Sequence, residues 1–402
     1  MEKVYIVAAK RTPIGAFGGS LKNTSAGNLA AVAIKGALEV AKLLGDNIDE
    51  VIVGNVVSAG QGMGVGRQAA LFAGIPESVP AYGVNMVCGS GMKAVMDAVT
   101  HIRSGDAQIV VAAGVEVMSQ IPFAAPSSIR DGNKMGNMEL KDLLVADGLT
   151  DVFNQYHMGV TAENVAKEVG LTREQQDEYA LASQQKAVAA IEAGKFKNEI
   201  VPVEVKQRRE TVLFETDEYP KPNATLENLS KLRPAFDREG TVTAGNASGI
   251  NDGASAIIVA SESAVQTHGL TPIAEVVSYA QSGIDPQVMG LGPVESVNKA
   301  LQKADLTTND VDVYELNEAF AAQALGVIHK LAETNQVSVN EIQDKANVNG
   351  GAIALGHPLG ASGNRILVTL VHELQKQNGQ YGVASLCVGG GMGTAVVIKA
   401  VK

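Results

Sequence analysis

Gly89-Ser-Gly-Met-Lys93 and Ala361-Ser-Gly-Asn-Arg365 stand 272 positions apart and align without a gap. Helical patterns follow both in step, and Ile109-Val-Val-Ala-Ala-Gly-Val115 then falls on Tyr381-Gly-Val-Ala-Ser-Leu-Cys387. Upstream, Val51-Ile-Val-Gly-Asn55 lies over Val313-Tyr-Glu-Leu-Asn317 at a similar offset. Identity is low, so chance similarity between two α/β segments is the alternative. The common order favours two copies of one strand–helix unit. Cys88 precedes the helix of the first copy, and Gly360 holds that place in the second.

Around this repeat, apolar runs rich in β-branched residues alternate with helical patterns. Strands are expected at Val4 to Ala9, Val51 to Val57 and Ile109 to Ala113, with helices from Asn28 to Leu44 and Gly89 to Arg103. Such alternation predicts a mainly parallel sheet covered on both faces. From about Ser119 to Ser248 the texture changes to scattered Pro, Gly and Met, a helix from Thr172 to Ala193 and a basic, proline-containing stretch from Val205 to Pro234. That composition suits an excursion from the sheet. Strand-like runs resume at Ala256 to Ala260 and Ile273 to Ser278. The expected division is 1–119 as a first α/β half completed by 250–272, a loop domain over 120–249, and a second half over 273–402.

A chain of 402 residues with 46% hydrophobic and 19% charged residues can bury a large core. The absence of tryptophan and 4% aromatics imply a core of Val, Ile, Leu and Ala. A formal net charge of -11 argues against general nucleic-acid binding, which needs a basic face. An anionic substrate must then find a local basic patch, and one candidate runs from Lys206-Gln-Arg208-Arg209 through Lys221 to Lys231 and Arg233. A solvated charged face is its alternative. Two cysteines without metal-type spacing speak against a disulfide framework or a zinc site, so the chain reads as reduced and intracellular. The short apolar run near Met1 reads as a strand rather than a signal segment, and no apolar stretch is long enough to span a bilayer.

Four segments gather glycine and polar groups where strands should end: Cys88-Gly-Ser-Gly91, Asn317-Glu-Ala-Phe320, Gly356-His-Pro-Leu-Gly360 and Cys387-Val-Gly-Gly-Gly391. Loops at the carboxyl ends of parallel strands converge in space. One Cys, one His and a second Cys are the parts of a thiol nucleophile with its base and a further acid or base. At a helix N-terminus, Cys88 is expected to have a lowered thiol pKa. Buried structural thiols and a satisfied core histidine are the alternatives for these three residues. Glycines beside both thiols imply exposed N–H groups suited to an oxyanion, which points to acyl chemistry. A rival signal, Gly64-Val-Gly66-Arg-Gln-Ala69, matches the dinucleotide pattern G-x-G-x-x-A. Its strand ends too far upstream and no acid-terminated strand follows, so an NAD-dependent oxidoreductase stays only as an alternative.

Taken in order, these segments resemble the thiolases over essentially the whole chain. The quoted motifs are Ala9-Lys-Arg-Thr-Pro-Ile-Gly15, Val84-Asn-Met-Val-Cys-Gly-Ser-Gly91, Thr243-Ala-Gly-Asn-Ala-Ser-Gly-Ile-Asn-Asp-Gly253, Glu315-Leu-Asn-Glu-Ala-Phe320, Gly351-Ala-Ile-Ala-Leu-Gly-His-Pro-Leu-Gly-Ala-Ser-Gly363 and Cys387-Val-Gly-Gly-Gly391. The resemblance implies two similar α/β halves in a five-layered α-β-α-β-α arrangement, with a loop domain carried by the first. It implies that Cys88 is acylated by acetyl-CoA while His357 accepts its proton, and that Cys387 removes the α-proton of a second acetyl-CoA for a reversible Claisen condensation. Asn317, through a water, and the His357 ring would form one oxyanion hole; the N–H groups of Cys88 and Gly389 would form the other. Contacts to CoA would come from Leu149, His157, Met158, Lys221, Phe236, Ala244, Ser248, Ala319 and Phe320. CoA and acetyl-CoA are substrates, and neither a cofactor nor a metal is implied.

Two departures stand out. Lys221 occupies a position where related biosynthetic enzymes often carry an arginine, so the nucleotide contact keeps a cation without a bidentate fork. The connection from His329 to Asn347 is longer and polar, and reads as a surface elaboration. The segment His157-Met-Gly159 resembles the short-chain, acetoacetyl-CoA type, with Met158 closing the acyl pocket. Alternatives are a degradative 3-ketoacyl-CoA thiolase of broader chain length, a ketoacyl-carrier-protein synthase, disfavoured by Cys387, and a non-catalytic acyl-CoA-binding protein. The resemblance further implies a cytoplasmic homotetramer, a dimer of dimers, with Gln61 to Gln68 at a dimer interface and Ser119 to Asn137 including a tetramerisation loop.

Overall fold

The computed structural model describes residues 2–207 and 209–401, so Arg208 of the basic patch lies outside the described residues. In chain order the main strands are β1 (Val4–Arg11), β2 (Glu50–Gly54), β3 (Ala81–Val84), β4 (Ile109–Val117), β5 (Asn251–Ser261), β6 (Ala274–Gly283), β7 (Val313–Leu316), β8 (Tyr381–Val388) and β9 (Met392–Ala400). The main helices are α1 (Ala26–Ala41), α2 (Val65–Phe72), α3 (Ser90–Ser104), α4 (Met158–Val169), α5 (Arg173–Glu192), α6 (Gly292–Lys303), α7 (Ala321–Asn335) and α8 (Leu359–Lys376).

The first strand lies at the middle of the sheet, whose order is β7-β8-β9-β6-β1-β5-β4-β2-β3. On one side β1 pairs with β5 along its length, from Val4 opposite Ser261 to Arg11 opposite Ser255. On the other, only Tyr5 and Ile6 meet Glu275 and Ala274 of β6. This short seam joins two half-sheets.

The expected mainly parallel sheet is corrected to a mixed one. Parallel pairing is confined to β2 with β3, β2 with β4, and β7 with β8, while the centre is antiparallel. The reason lies in the connections. Helical crossovers join the outer strands, but β8 and β9 are linked by Gly389–Gly391, with Gly390 and Gly391 at φ 87° and 88°. A tight turn of that kind makes a hairpin, which is antiparallel by construction.

Five layers follow from where the apolar faces go. The central helices α3 and α8 bury Met92, Val95, Val99, Ile366, Leu370 and Leu374 against Ile52, Val110 and Ile257 of one half-sheet and Val313, Leu386 and Val396 of the other. Outside the first half-sheet, α1 and α2 pack Leu29, Ile34 and Ala69 on Val51, Val111 and Ile258. Outside the second, α6 and α7 pack Val297, Leu301, Val327 and Leu331 on Tyr314, Val383 and Val397. The repeated glycines of the quoted alignment mark the crossing of α3 and α8. A Cβ on Gly91 would stand 2.7 Å from Gly360 O, and one on Gly363 would stand 2.7 Å from Met92 N. Only small residues allow that approach.

Element ends moved for local reasons. Helix α1 starts at Ala26 because Ser25 Oγ accepts from Asn28 N–H, and it stops at a left-handed Lys42. Strand β2 ends at Gly54: after a last bond from Asn55 N–H to Val84 O, the N–H groups of Val56 and Val57 turn to Glu116. Helix α5 matches its reading, with Thr172 and Gln175 forming a capping box. Gly64 caps α2 in a left-handed conformation at φ 62°, and a Cβ on Gly66 would collide with the Tyr82 carbonyl of β3, which accounts for the apparent dinucleotide pattern. The chain leaves the sheet after Val117 and rejoins it at Asn251. Between them lie α4, α5 and the hairpin Val203–Gln207 with Glu210–Phe214, whose Val203 and Val205 are buried in the core beside α1. Among the described residues, no helix is long and apolar enough to cross a membrane.

Candidate active site

Strand β3 delivers the first thiol through a tight elbow. Asn85 Oδ1 accepts from Val87 N–H at 3.0 Å, and Ser90 Oγ both accepts from Met86 N–H and donates to Val87 O. Val87 is held at φ 46°, a conformation costly for a β-branched residue that persists only because these bonds over-determine the turn. The elbow fixes Cys88 immediately before α3, 8% exposed.

The expectation of a lowered thiol pKa is corrected. Burial pushes the Cys88 thiol up to about 11, outweighing the backbone N–H groups of Gly389 and Cys88 that face it and favour the thiolate. Those are the two N–H groups named from the resemblance. At the end of β8, Cys387 is fully buried among Met158, Met289, Ala319 and Phe320. Its thiol is pushed higher still, first by burial and next by the neighbouring Cys88.

His357 lies one residue before the Pro358 cap of α8, and its N–H donates to Asn251 Oδ1 at 3.0 Å. Its Nδ1 meets Ser362 Oγ at 2.5 Å, and that hydroxyl also reaches Pro358 O at 3.0 Å. A hydroxyl has one proton. With it on Pro358 O, Nδ1–H is the donor and Nε2 carries a lone pair, and Nε2 is buried without a partner among the described residues. Burial lowers the imidazole pKa to about 3, with Arg365 adding to the effect, so the ring is neutral near pH 7.

Asn317 follows β7, and its N–H donates to Ser385 O at 3.0 Å. Both polar atoms of its side chain are buried and have no partner among the described residues. Such orphaned groups mark a place for a water or ligand. Glu116, which the sequence did not single out, ties the halves beneath the site. It accepts from Val56 and Val57 N–H at 3.0 and 3.1 Å and from Gly360 N–H at 2.9 Å. Burial raises its carboxyl to about 7.

A cleft of about 300 Å³ leads to His357, lined by Leu149, His157, Phe236, Ala244, Ser248 and Phe320 among others. The His157 ring stacks on Phe236 with centroids 4.5 Å apart, and Phe236 meets Phe320 edge-on at 6.2 Å. Ala319 O accepts from Ser248 N–H at 2.9 Å, pinning the inserted region to the segment after Asn317. Met158 Sδ would stand 3.7 Å from a Cβ on Gly389. Lys221 stands apart from these. It is exposed, its Nζ lies 5.3 Å from the Tyr219 ring centroid, and it lines a second cleft of about 410 Å³ that shares Ala244 with the first. The structure thus brings the named residues to one end of the sheet, with Lys221 on an outer extension. Ser362, Asn251, Tyr219 and Met289 also line or support the site and went unread. Ser362 carried a signal, since it pairs with Ser90 in the repeat.

Of the His329–Asn347 connection, residues 329–335 are the last turns of α7 and Ile342 is buried in the outer core, so only 336–341 form a surface elaboration, and the end of the connection does not. Asn347 Nδ2 donates to Leu316 O and its Oδ1 accepts from Leu316 N–H, extending the edge of β7 beside Asn317. No group of three His, Cys, Asp or Glu residues suited to a metal ion occurs among the described residues.

Known proteins share this architecture throughout. The family model for the thiolase N-terminal domain matches residues 4–263, and that for the thiolase C-terminal domain matches residues 270–400. The acetyl-CoA acetyltransferase of Cupriavidus necator is 54% identical over 400 residues, covering 99% of this chain and 100% of that protein. Two solved structures cover 100% of this chain. One is acetyl-CoA acetyltransferase from Syntrophomonas wolfei, 40% identical with a TM-score of 0.96 over 100% of its chain. The other is human mitochondrial 3-ketoacyl-CoA thiolase, 46% identical with a TM-score of 0.94 over 99% of its chain. With both family models filled and the two-thiol site at the junction of the halves, the chain belongs to the thiolase family.

Proposed function

We propose that this protein is an acetyl-CoA C-acetyltransferase that condenses two acetyl-CoA to acetoacetyl-CoA and CoA, reversibly, through acetyl-Cys88. The observation that carries the reading is the pairing of two buried thiols, one of them faced by two backbone N–H groups. The names of full-length relatives at about half identity support the substrate.

In the first half-reaction, Cys88 Sγ–H passes its proton to His357 Nε2 as sulfur attacks the thioester carbonyl carbon. The tetrahedral oxyanion is held by the N–H groups of Cys88 and Gly389, and CoA leaves with the proton from Nε2. In the second, Cys387, its own proton lost to solvent, acts as the thiolate, a strong base because burial disfavours its charge, and takes the α-proton of a bound acetyl-CoA. Between the half-reactions, water entering as CoA leaves exchanges the ring proton from Nδ1 to Nε2 while the Ser362 hydroxyl turns to donate to Nδ1, so the same ring donates to the enolate oxygen beside a water held by Asn317. The carbanion attacks acetyl-Cys88, and the expelled Cys88 sulfur is reprotonated at the expense of Cys387. The water-poor pocket formed by Met158, Met289 and Phe320 strengthens each of these interactions.

The inserted region 120–249 holds CoA, with the pantetheine arm along His157 and Phe236 and the nucleotide toward Lys221. Free thiols support a reducing, cytoplasmic setting. An interface between copies, as assembly into a dimer of dimers would need, is supported by the exposed edge strand Ala81–Val84 and by Gln61, whose buried amide has no partner among the described residues. The 46% identity to a 3-ketoacyl-CoA thiolase favours one second reading, thiolysis of longer chains. The test is incubation with acetyl-CoA, acid quench and peptide mass mapping beside Cys88→Ala, followed by thiolysis of acetoacetyl-CoA and longer 3-ketoacyl-CoA. One acetyl group on Cys88, absent from the variant, with preference for acetoacetyl-CoA is expected. An unmodified Cys88 in protein that binds CoA would promote the binding-protein alternative.

A further inference from the structure

Within Asn317-Glu-Ala-Phe320, Glu318 alone has no part in the reaction as drawn, yet it is 1% exposed. Its carboxylate collects four donors from three segments. Tyr179 O–H at 3.2 Å and Ser183 O–H at 2.6 Å come from α5 in the inserted region. Asn347 Nδ2 at 2.9 Å comes from the end of the elongated connection, and Ile353 N–H at 3.2 Å from the segment leading to His357. Ser183 Oγ also accepts from Gly351 N–H at 3.1 Å. The next residue on α5, Gln184, donates to Ile353 O at 3.3 Å and accepts from Lys221 N–H at 2.8 Å, at the outer cleft. Gly351 must lack a side chain, because a Cβ there would run into the Glu318 carboxylate.

We infer that Glu318 is a positioning residue that locks Asn317 and the segment carrying His357 to the CoA-binding region, so that both oxyanion-hole partners stand where the enolate forms. Among the described residues the Asn317 side chain has no partner, so its placement depends on the backbone at 316–318. That backbone is held by Ser385 on one side and by the Glu318 and Asn347 bonds on the other. A buried carboxylate is stable only while its donors are present, which forces the three segments into one register. The inference rests on the thiolase reading.

The test compares wild-type enzyme, Glu318→Ala, and the Tyr179→Phe/Ser183→Ala double variant, which keeps the carboxylate but removes two donors. Readouts are kcat for acetoacetyl-CoA thiolysis, the dissociation constant for CoA, and exchange of acetyl-CoA methyl protons for deuterium by acetylated enzyme. Misplacement on the scale of 1 Å predicts a kcat loss of about 100-fold in Glu318→Ala, with exchange falling in parallel and CoA affinity within about twofold. The double variant falls about tenfold, and Glu318→Gln, whose amide lets both hydroxyls rotate and stay bonded, recovers part of the Ala loss. A wild-type kcat in the double variant overturns the inference, whether or not Glu318→Ala folds. A proportional loss of CoA affinity and kcat/KM at constant kcat also overturns it, since it would mark a binding or purely structural role. Wild-type protein that neither acetylates Cys88 nor turns over would instead sink the thiolase reading beneath it.

Discussion

Replacing Ser362 with alanine removes the hydroxyl 2.5 Å from His357 Nδ1 and little else, since the residue is buried within α8. Acylation requires His357 Nε2 to take the Cys88 proton, so an imidazolium forms whose Nδ1–H needs an acceptor. Ser362 Oγ is the hydrogen-bond partner the chain supplies to Nδ1. A hydrogen bond to a charged group contributes about 1.5–3 kcal/mol, and an orphaned donor at a buried site keeps that cost. At about 1.4 kcal/mol per tenfold, acylation slows roughly ten- to hundredfold. The CoA cleft does not include Ser362, so affinity for CoA stays near wild type. Rapid-quench mass spectrometry of Cys88 acetylation under single-turnover conditions reads the effect, and Ser362→Thr, which keeps a hydroxyl, restores most of the rate. Acylation by Ser362→Ala within twofold of wild type would refute the claim that the Nδ1 partner supports proton transfer.

Alkylation of Cys88 by iodoacetamide follows its thiolate, so its rate keeps climbing from pH 8 toward about 11; a plateau below pH 8 would contradict the burial argument. Arg11 is buried and bonded to Glu199 at 2.6 Å and to both oxygens of Asp217 at 2.7 and 2.9 Å. Arg11→Met strands two buried carboxylates and lowers stability to urea by about 3–5 kcal/mol, which equilibrium unfolding measures. Lys221→Ala raises KM for CoA substrates in a salt-dependent way while leaving acetyl-pantetheine turnover unchanged; an equal effect on both substrates would remove Lys221 from nucleotide contact.

How much was legible depended on whether a feature is local. The Gly-Ser-Gly and Ala-Ser-Gly repeats were readable because two helices crossing at backbone distance require small residues in sequence, and the 272-residue offset reappears between the first residues of β4 and β8. The span of α5 was readable too, because the helical pattern from Thr172 to Ala193 lies in consecutive residues. Strand direction was not, because it is set by connections: β5 returns after a long excursion, and a glycine turn makes β9 a hairpin partner of β8. Thiol acidity was not either. A helix N-terminus is visible in sequence, whereas the desolvation that overrides it comes from residues of both halves. The roles of Glu116 and Glu318 were not legible because a carboxylate gathering donors from remote segments looks, in sequence, like any other acid.

Cys88 and the imidazole together describe a pair that is neutral at rest. With Cys88 pushed up to about 11 and His357 down to about 3, a thiolate–imidazolium pair is strongly disfavoured before substrate arrives. Proton transfer must therefore accompany carbon–sulfur bond formation rather than precede it. The charge then appears first on the carbonyl oxygen, where the N–H groups of Cys88 and Gly389 are already fixed, one by the strained elbow at Val87 and the other by the hairpin turn after Cys387. Donors that need no reorganisation favour the transition state over the ground state, in which little charge exists for them to hold. The same burial that makes both thiols poor acids thus confines their reactivity to the moment a thioester fills the cleft.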